Sequence, residues 1–237
     1  MKRLLLALSA SALIATGCSK ISSGNSQQGP TVDMSGNNPA LPFDHRPVNV
    51  PSTITSASAQ RLSIAQLRGT LPVALGNNLD GSAVTWLYPN NQPGLTVVAT
   101  TLGEPDYIET TEEDLSASPL YLKFMDDAAR DACNRALTAD YSRSSPSQRA
   151  LVRHADTADT ASTNAAGIDK NLRYLKLRFH GVKVADDDEA SIAPLRNLFT
   201  RGVQASAGTR PPTVNDVKEG WRVVCVALVT APEFHIY

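Results

Sequence analysis

From Pro211 to Pro232 the chain reads Pro211-Pro212-Thr213-Val214-Asn215-Asp216-Val217-Lys218-Glu219-Gly220-Trp221-Arg222-Val223-Val224-Cys225-Val226-Ala227-Leu228-Val229-Thr230-Ala231-Pro232. Two prolines introduce the segment and one closes it, so the chain between them is a helix with punctuated ends. Val217, Trp221, Val224, Cys225 and Leu228 repeat every three or four residues and form its inner face. The run from Val223 to Ala231 is almost wholly apolar but only nine residues long. That length suits a central buried helix and is too short to span a bilayer.

Working back from this helix, the same period recurs. Ile192, Leu195, Leu198, Phe199 and Val203 mark a helix that starts near Glu189. Ile168, Leu172, Leu175 and Phe179 mark another, ended by Gly181. Ser118-Pro119 begins a helix to about Leu137, with Leu122, Met125, Ala129, Ala132, Cys133 and Ala136 on one face. A shorter helix is expected over Gln148–His154, followed by a polar loop over Asp156–Asn164. Ser63-Ile64-Ala65-Gln66 fits a capping box, and Ile64, Leu67, Leu71 and Leu75 continue it as a helix face that Gly76 stops. Gly69 and Pro72 interrupt that face and predict a short or kinked helix. Residues 77–117 carry turn chemistry; Leu95–Leu102 within them reads equally as a strand, the start of a helix or an extended packed segment. The expected fold is mainly α: a compact bundle of about five helices over residues 59–237.

Ahead of the bundle, Ser19 to about Ser58 is rich in Ser, Gly, Asn, Gln and Pro and lacks apolar periodicity. Such a segment cannot repay the entropy of ordering, so residues 18–58 are expected to be a flexible tether. As a coil it would reach about 35 Å. Residues 1–17 combine the basic pair Lys2-Arg3 with an apolar stretch from Leu4 to Ala15 and small residues before Cys18, which is the layout of a secretory signal. Ile14-Ala15-Thr16-Gly17-Cys18 resembles the lipobox of bacterial lipoproteins. The resemblance implies cleavage before Cys18, lipid on its thiol and membrane attachment through that anchor. Ser19 follows in place of the Asp that resembles an inner-membrane retention signal, which points to the outer membrane.

The 237 residues carry 22 Lys and Arg against 23 Asp and Glu, a formal charge of −1, and 42% hydrophobic residues. This balance excludes a wholly disordered chain, a collagen-like fibre and a polytopic membrane protein. It also argues against nucleic acid as a partner, since phosphate binding needs clustered positive charge. Losing residues 1–17 removes Lys2 and Arg3 and no acids, so the charge becomes −3. Of three cysteines, Cys18 is assigned to lipid. Cys133 and Cys225 remain, both on apolar helix faces, and in an oxidising compartment they are expected to form a disulfide. Closing so long a loop stabilises by about 3–5 kcal/mol.

No catalytic, metal or cofactor set emerges. His45, His154, His180 and His235 show no i,i+4 pairing, and neither HExxH nor Cys-x-x-Cys is present. Asp186-Asp187-Asp188-Glu189 lacks the spacing of a calcium loop and reads as the cap and first turn of the next helix. Nucleophile-elbow and phosphate-loop motifs are missing, and Asp126-Asp127 reads as a solvated helix face. Glu104-Pro105-Asp106-Tyr107 is a short acidic turn. Trp86-Leu87-Tyr88 sits between turn-rich stretches, so Trp86 and Tyr88 are possible ligand-binding residues, unless they anchor their loop by burial.

Two further segments are suggestive together. Pro119-Leu120-Tyr121-Leu122-Lys123-Phe124-Met125 leads towards Cys133, and the last helix ends Ala227-Leu228-Val229-Thr230-Ala231-Pro232-Glu233-Phe234. Over residues 119–237 these resemble the helical domains of cytochrome-c-like proteins of planctomycetes and myxobacteria. This chain lacks the Cys-x-x-Cys-His of haem-bearing members, so the resemblance implies a haem-free helical adaptor. The expected function is a non-enzymatic binding or scaffolding component of an envelope protein complex. The alternatives are an envelope hydrolase acting on glycan or peptide, and a carbohydrate-binding module.

Overall fold

The computed structural model describes residues 59–237. The expected signal peptide, the lipidated Cys18 and the tether over residues 18–58 lie outside the described residues. Five long helices carry the fold: α1 (Ile64–Leu75), α3 (Pro119–Ser142), α4 (Ala165–His180), α5 (Ala193–Ala207) and α6 (Val214–Thr230). Two one-turn helices, α2 (Gly94–Val97) and α7 (Pro232–His235), and a two-residue hairpin of β1 (Leu87–Tyr88) and β2 (Gln92–Pro93) complete it.

α6 is the central element, packed against both α5 and α3. Its expected face is its buried face: Val217, Trp221, Val224, Cys225 and Leu228. Thr213 caps it, with Asp216 answering from the third position. α5 crosses α6 at two glycines. A Cβ on Gly220 would lie 2.9 Å from the Phe199 carbonyl oxygen, and one on Gly202 would lie 3.0 Å from the Gly220 Cα. Phe199 then packs on Trp221 with ring centroids 4.5 Å apart. On the other side Cys133 of α3 and Cys225 of α6 are joined as a disulfide, with Cα atoms 5.9 Å apart. The bridge links segments 92 residues apart.

α1 forms with the expected capping box: the Ser63 hydroxyl accepts from the Gln66 N–H, and the Gln66 side chain accepts from the Ser63 N–H. It runs through Gly69 and Pro72 and ends at Gly76, whose φ of 84° suits glycine. The Leu95–Leu102 segment is helical, as α2 and a 3₁₀ turn over Thr100–Leu102. Leu95, Val98, Ala99 and Leu102 are its buried residues, a spacing that a strand could not present to one side.

Three expectations are corrected. No helix forms over Gln148–His154; a 3₁₀ turn at Pro146–Gln148 precedes an irregular segment. The cause is competition for backbone donors. The buried Asp140 carboxylate accepts the N–H groups of Ala150, Leu151 and Val152 at 2.6–3.0 Å. The Asn171 side-chain oxygen accepts those of Arg153 and His154 at 2.8 and 3.0 Å. Those groups are thereby withheld from an i→i−4 ladder. Second, α3 extends one turn past Leu137 to Ser142, which is what places Asp140; on its face Tyr121 is buried while Leu122 is half exposed. Third, α5 begins at Ala193, so the acidic run precedes it. Asp188 accepts from the Ser191 N–H, and Glu189 pairs with Arg173 of α4 and Arg196 of α5.

Candidate binding surface

The region between α1 and α3 is irregular, and arginine side chains organise it. Arg61 is 1% exposed. Its Nη1 donates to Glu113 at 3.1 Å and to the Leu62 carbonyl at 2.8 Å. Its Nη2 donates to the carbonyls of Leu102 and Asp114, and the guanidinium lies over the Tyr121 ring at 5.0 Å. One buried fork thus holds both ends of a loop running from Gly103 to Asp114. The neck closes directly as well, because the Asp114 N–H donates to the Gly103 carbonyl at 3.0 Å. Gly103 has φ 88°, and a Cβ there would lie 2.9 Å from the Asp114 Cβ, so the neck needs glycine. Glu113 also accepts from the Ile64 N–H at 2.8 Å, at the start of α1, where a carboxylate meets the helix dipole favourably.

Arg68 holds the next stretch. It grips both oxygens of Glu104 and donates to the Leu95 carbonyl at 3.0 Å. At the loop's tip the Asp106 carboxylate accepts from the N–H groups of Ile108, Glu109 and Thr110 at 2.9–3.0 Å. These three donors hold its pKa down at about 2. Tyr107, enclosed by this turn, has φ 61°, a left-handed conformation uncommon for an aromatic residue.

Trp86 and Tyr88 lie beside this loop's base without forming a sugar platform. Trp86 is 4% exposed and seated on Gly94, where a Cβ would come within 2.3 Å of the indole. Tyr88 is 37% exposed, and its ring stands at 75° to that of Trp86. A stacking surface requires two exposed, roughly coplanar rings; here Trp86 packs inward as an anchor for the β1–β2 hairpin and only Tyr88 reaches the surface. Next to it is a cavity of about 150 Å³ lined by Arg68, Leu71, Pro72, Trp86, Pro93 and Leu95 among others.

Other groups are already engaged. An open groove of about 510 Å³ contains Asp80 and Asp131. Asp80 is bonded to Ser82, and Asp131 accepts from the Leu87 N–H and Arg135. Asp126 and Asp127 pair with Arg130 and Lys123 on an exposed helix face. His180 lies 3.0 Å from the Leu228 carbonyl, and His154 packs edge-on against Tyr174. His235 is buried, 3.2 Å from the Thr230 carbonyl and against Tyr121, and burial pushes its pKa down. Asp216 is held well below the usual carboxylate range, chiefly by Arg210, with Ser206 and Thr213 adding hydrogen bonds. Among the described residues no group of three or more His, Cys, Asp or Glu is placed to hold a metal ion, and no helix is long and apolar enough to cross a membrane.

Sequence reasoning found the acidic turn at Glu104–Tyr107 and missed Arg61, Arg68 and Asp140. Nothing local separates Arg61 from a surface arginine; apart from the Leu62 carbonyl, its hydrogen-bond partners are 41–53 residues away. No protein-family model matches this chain, and neither does any curated protein or solved structure.

Proposed function

We propose that this chain is an outer-membrane lipoprotein whose helical body is a non-enzymatic binding component of an envelope protein complex. The observation that carries the reading is the disulfide between Cys133 and Cys225. A bridge of this kind belongs to an oxidising compartment, and it uses two of the three cysteines. The third, Cys18, follows the basic and apolar residues of an export signal at the place where a lipobox puts lipid. Two acyl chains or more at one cysteine make a stable anchor, and a coil of about 40 residues lets the body search the space near it. Tethering also raises the effective concentration of the body towards a partner in the same membrane.

The experiment is fractionation of cells expressing the full chain and its Cys18→Ala variant. The unsubstituted chain is expected with outer membranes and the variant in the soluble or inner-membrane fraction. Unchanged fractionation would remove the anchor. Native electrophoresis of the detergent-extracted chain tests the second half: a species well above the mass of one chain is expected, and a monomer overturns the binding role.

A further inference from the structure

We propose that Tyr107 and Ile108, at the tip of the Gly103–Asp114 loop, dock into an apolar pocket rimmed by Lys or Arg on a protein partner. The inference rests on the binding-component reading and names the chemistry of the partner.

The tip is apolar and presented to solvent. Tyr107 is 76% exposed and Ile108 90%, the largest exposures among the large apolar side chains of the described residues. They stand side by side, whereas single exposed apolar residues elsewhere are ordinary. The surroundings are of one sign. Between Gly103 and Ser116 the chain has six acids and no Lys, Arg or His. Glu104 and Glu113 face inward and are neutralised by Arg68 and Arg61. Asp106, Glu109 and Glu112 are exposed beside the tip, and no salt bridge among the described residues uses them. A surface complementary to the tip is therefore an apolar recess with a positive rim. An anionic lipid surface is disfavoured, because the same three carboxylates would be driven into its negative potential.

The loop is also fixed in advance of any encounter. Its neck is closed by Gly103, Asp114 and the Arg61 fork, and Asp106 ties the turn to itself. Tyr107 is kept in a left-handed conformation while its side chain gains no burial in return. Residues held in such sparsely populated conformations cluster at binding and switch sites. A preset loop loses little freedom on docking.

The test uses the full lipidated chain in its own envelope, with a benzophenone photo-crosslinker at position 108 and, as a control, at the exposed position 182. The probe is the crosslinker itself, and the readout is the adduct mapped by mass spectrometry. A protein adduct specific to position 108, mapped to a surface that contains Lys or Arg, is expected. Its yield should fall about tenfold in a Glu109→Lys/Glu112→Lys variant whose circular dichroism and thermal melt are unchanged. Adducts to lipid or to a second copy of this chain, an adduct insensitive to charge reversal, or none at all would each overturn the proposal. Native electrophoresis separates this failure from that of the parent reading. A high-mass complex without an adduct at 108 leaves the binding role standing with its contact elsewhere. A monomer removes both.

Discussion

The α3–α5–α6 assembly and the segment from Arg61 to Ser116 are held together by different means. In the first, long helices satisfy their own backbone groups, and contact between them is mainly apolar: Gly202 on Gly220, Phe199 on Trp221, and one disulfide, with the Ser206–Asp216 hydrogen bond at one end. In the second, regular elements apart from α1 are short, and side chains from distant positions take up the backbone. Arg61 bonds the carbonyls of Leu102 and Asp114. Arg178 of α4 bonds those of Val73 and Ala74 at the end of α1. Arg143, just past α3, bonds that of Asn77. Stability in the first region is spread over many dispersion contacts, while in the second it is concentrated in a few donors. The second is also where an exposed loop can be both irregular and fixed in shape.

That contrast sets the order of expected effects. The largest belongs to Arg61→Met, which removes the fork, leaves the Leu62, Leu102 and Asp114 carbonyls without that donor and takes from the Glu113 carboxylate its charged partner. A loss of about 3–5 kcal/mol is expected in denaturant unfolding. Hydrogen exchange should place the excess opening in residues 61–116; uniform opening would mean that the two regions do not differ in this way. Close behind is Cys133→Ala/Cys225→Ala, expected to cost about 3–5 kcal/mol through a looser unfolded chain. Its effect should appear in the unfolding midpoint while Arg61 and its loop keep their protection. Smallest is a dependence on pH. Burial depresses the pKa of His235 below its unfolded value near 6.5, so the unfolded chain binds more protons as the pH falls through that value. The stability it contributes is complete above about pH 6.5 and declines below it, with a slope of at most ~1.4 kcal/mol per pH unit. His235→Phe should flatten the dependence between pH 7 and 5, measured by urea midpoints; an unchanged slope would assign the effect to another group.

Helix α6 was legible from Pro211 to Pro232 because its information is local: caps, stops and a repeat of three or four residues. The same is true of the Ser63 cap on α1 and of the Gly181 stop on α4. The disulfide was legible at one remove, since a cysteine count and two helix faces pointed to one pair. Gln148–His154 failed because its donors go to Asp140 and Asn171, which no pattern within the segment announces. Trp86 and Tyr88 illustrate the same limit. Composition marked them as notable, but only packing on Gly94 decided that one ring is buried.

The sequence by itself therefore determined the five long helices, most of their inner faces and the residues available for a bridge. Each of these follows from periodicity and from backbone needs met within a few positions. Only the tertiary structure decided which irregular segments became ordered, where the acidic loop points its Tyr107–Ile108 tip, and that Arg61 is interior. A side chain that satisfies a carbonyl 41 or 53 residues away leaves no mark on its neighbours in the chain, because the partner is chosen by packing and not by spacing.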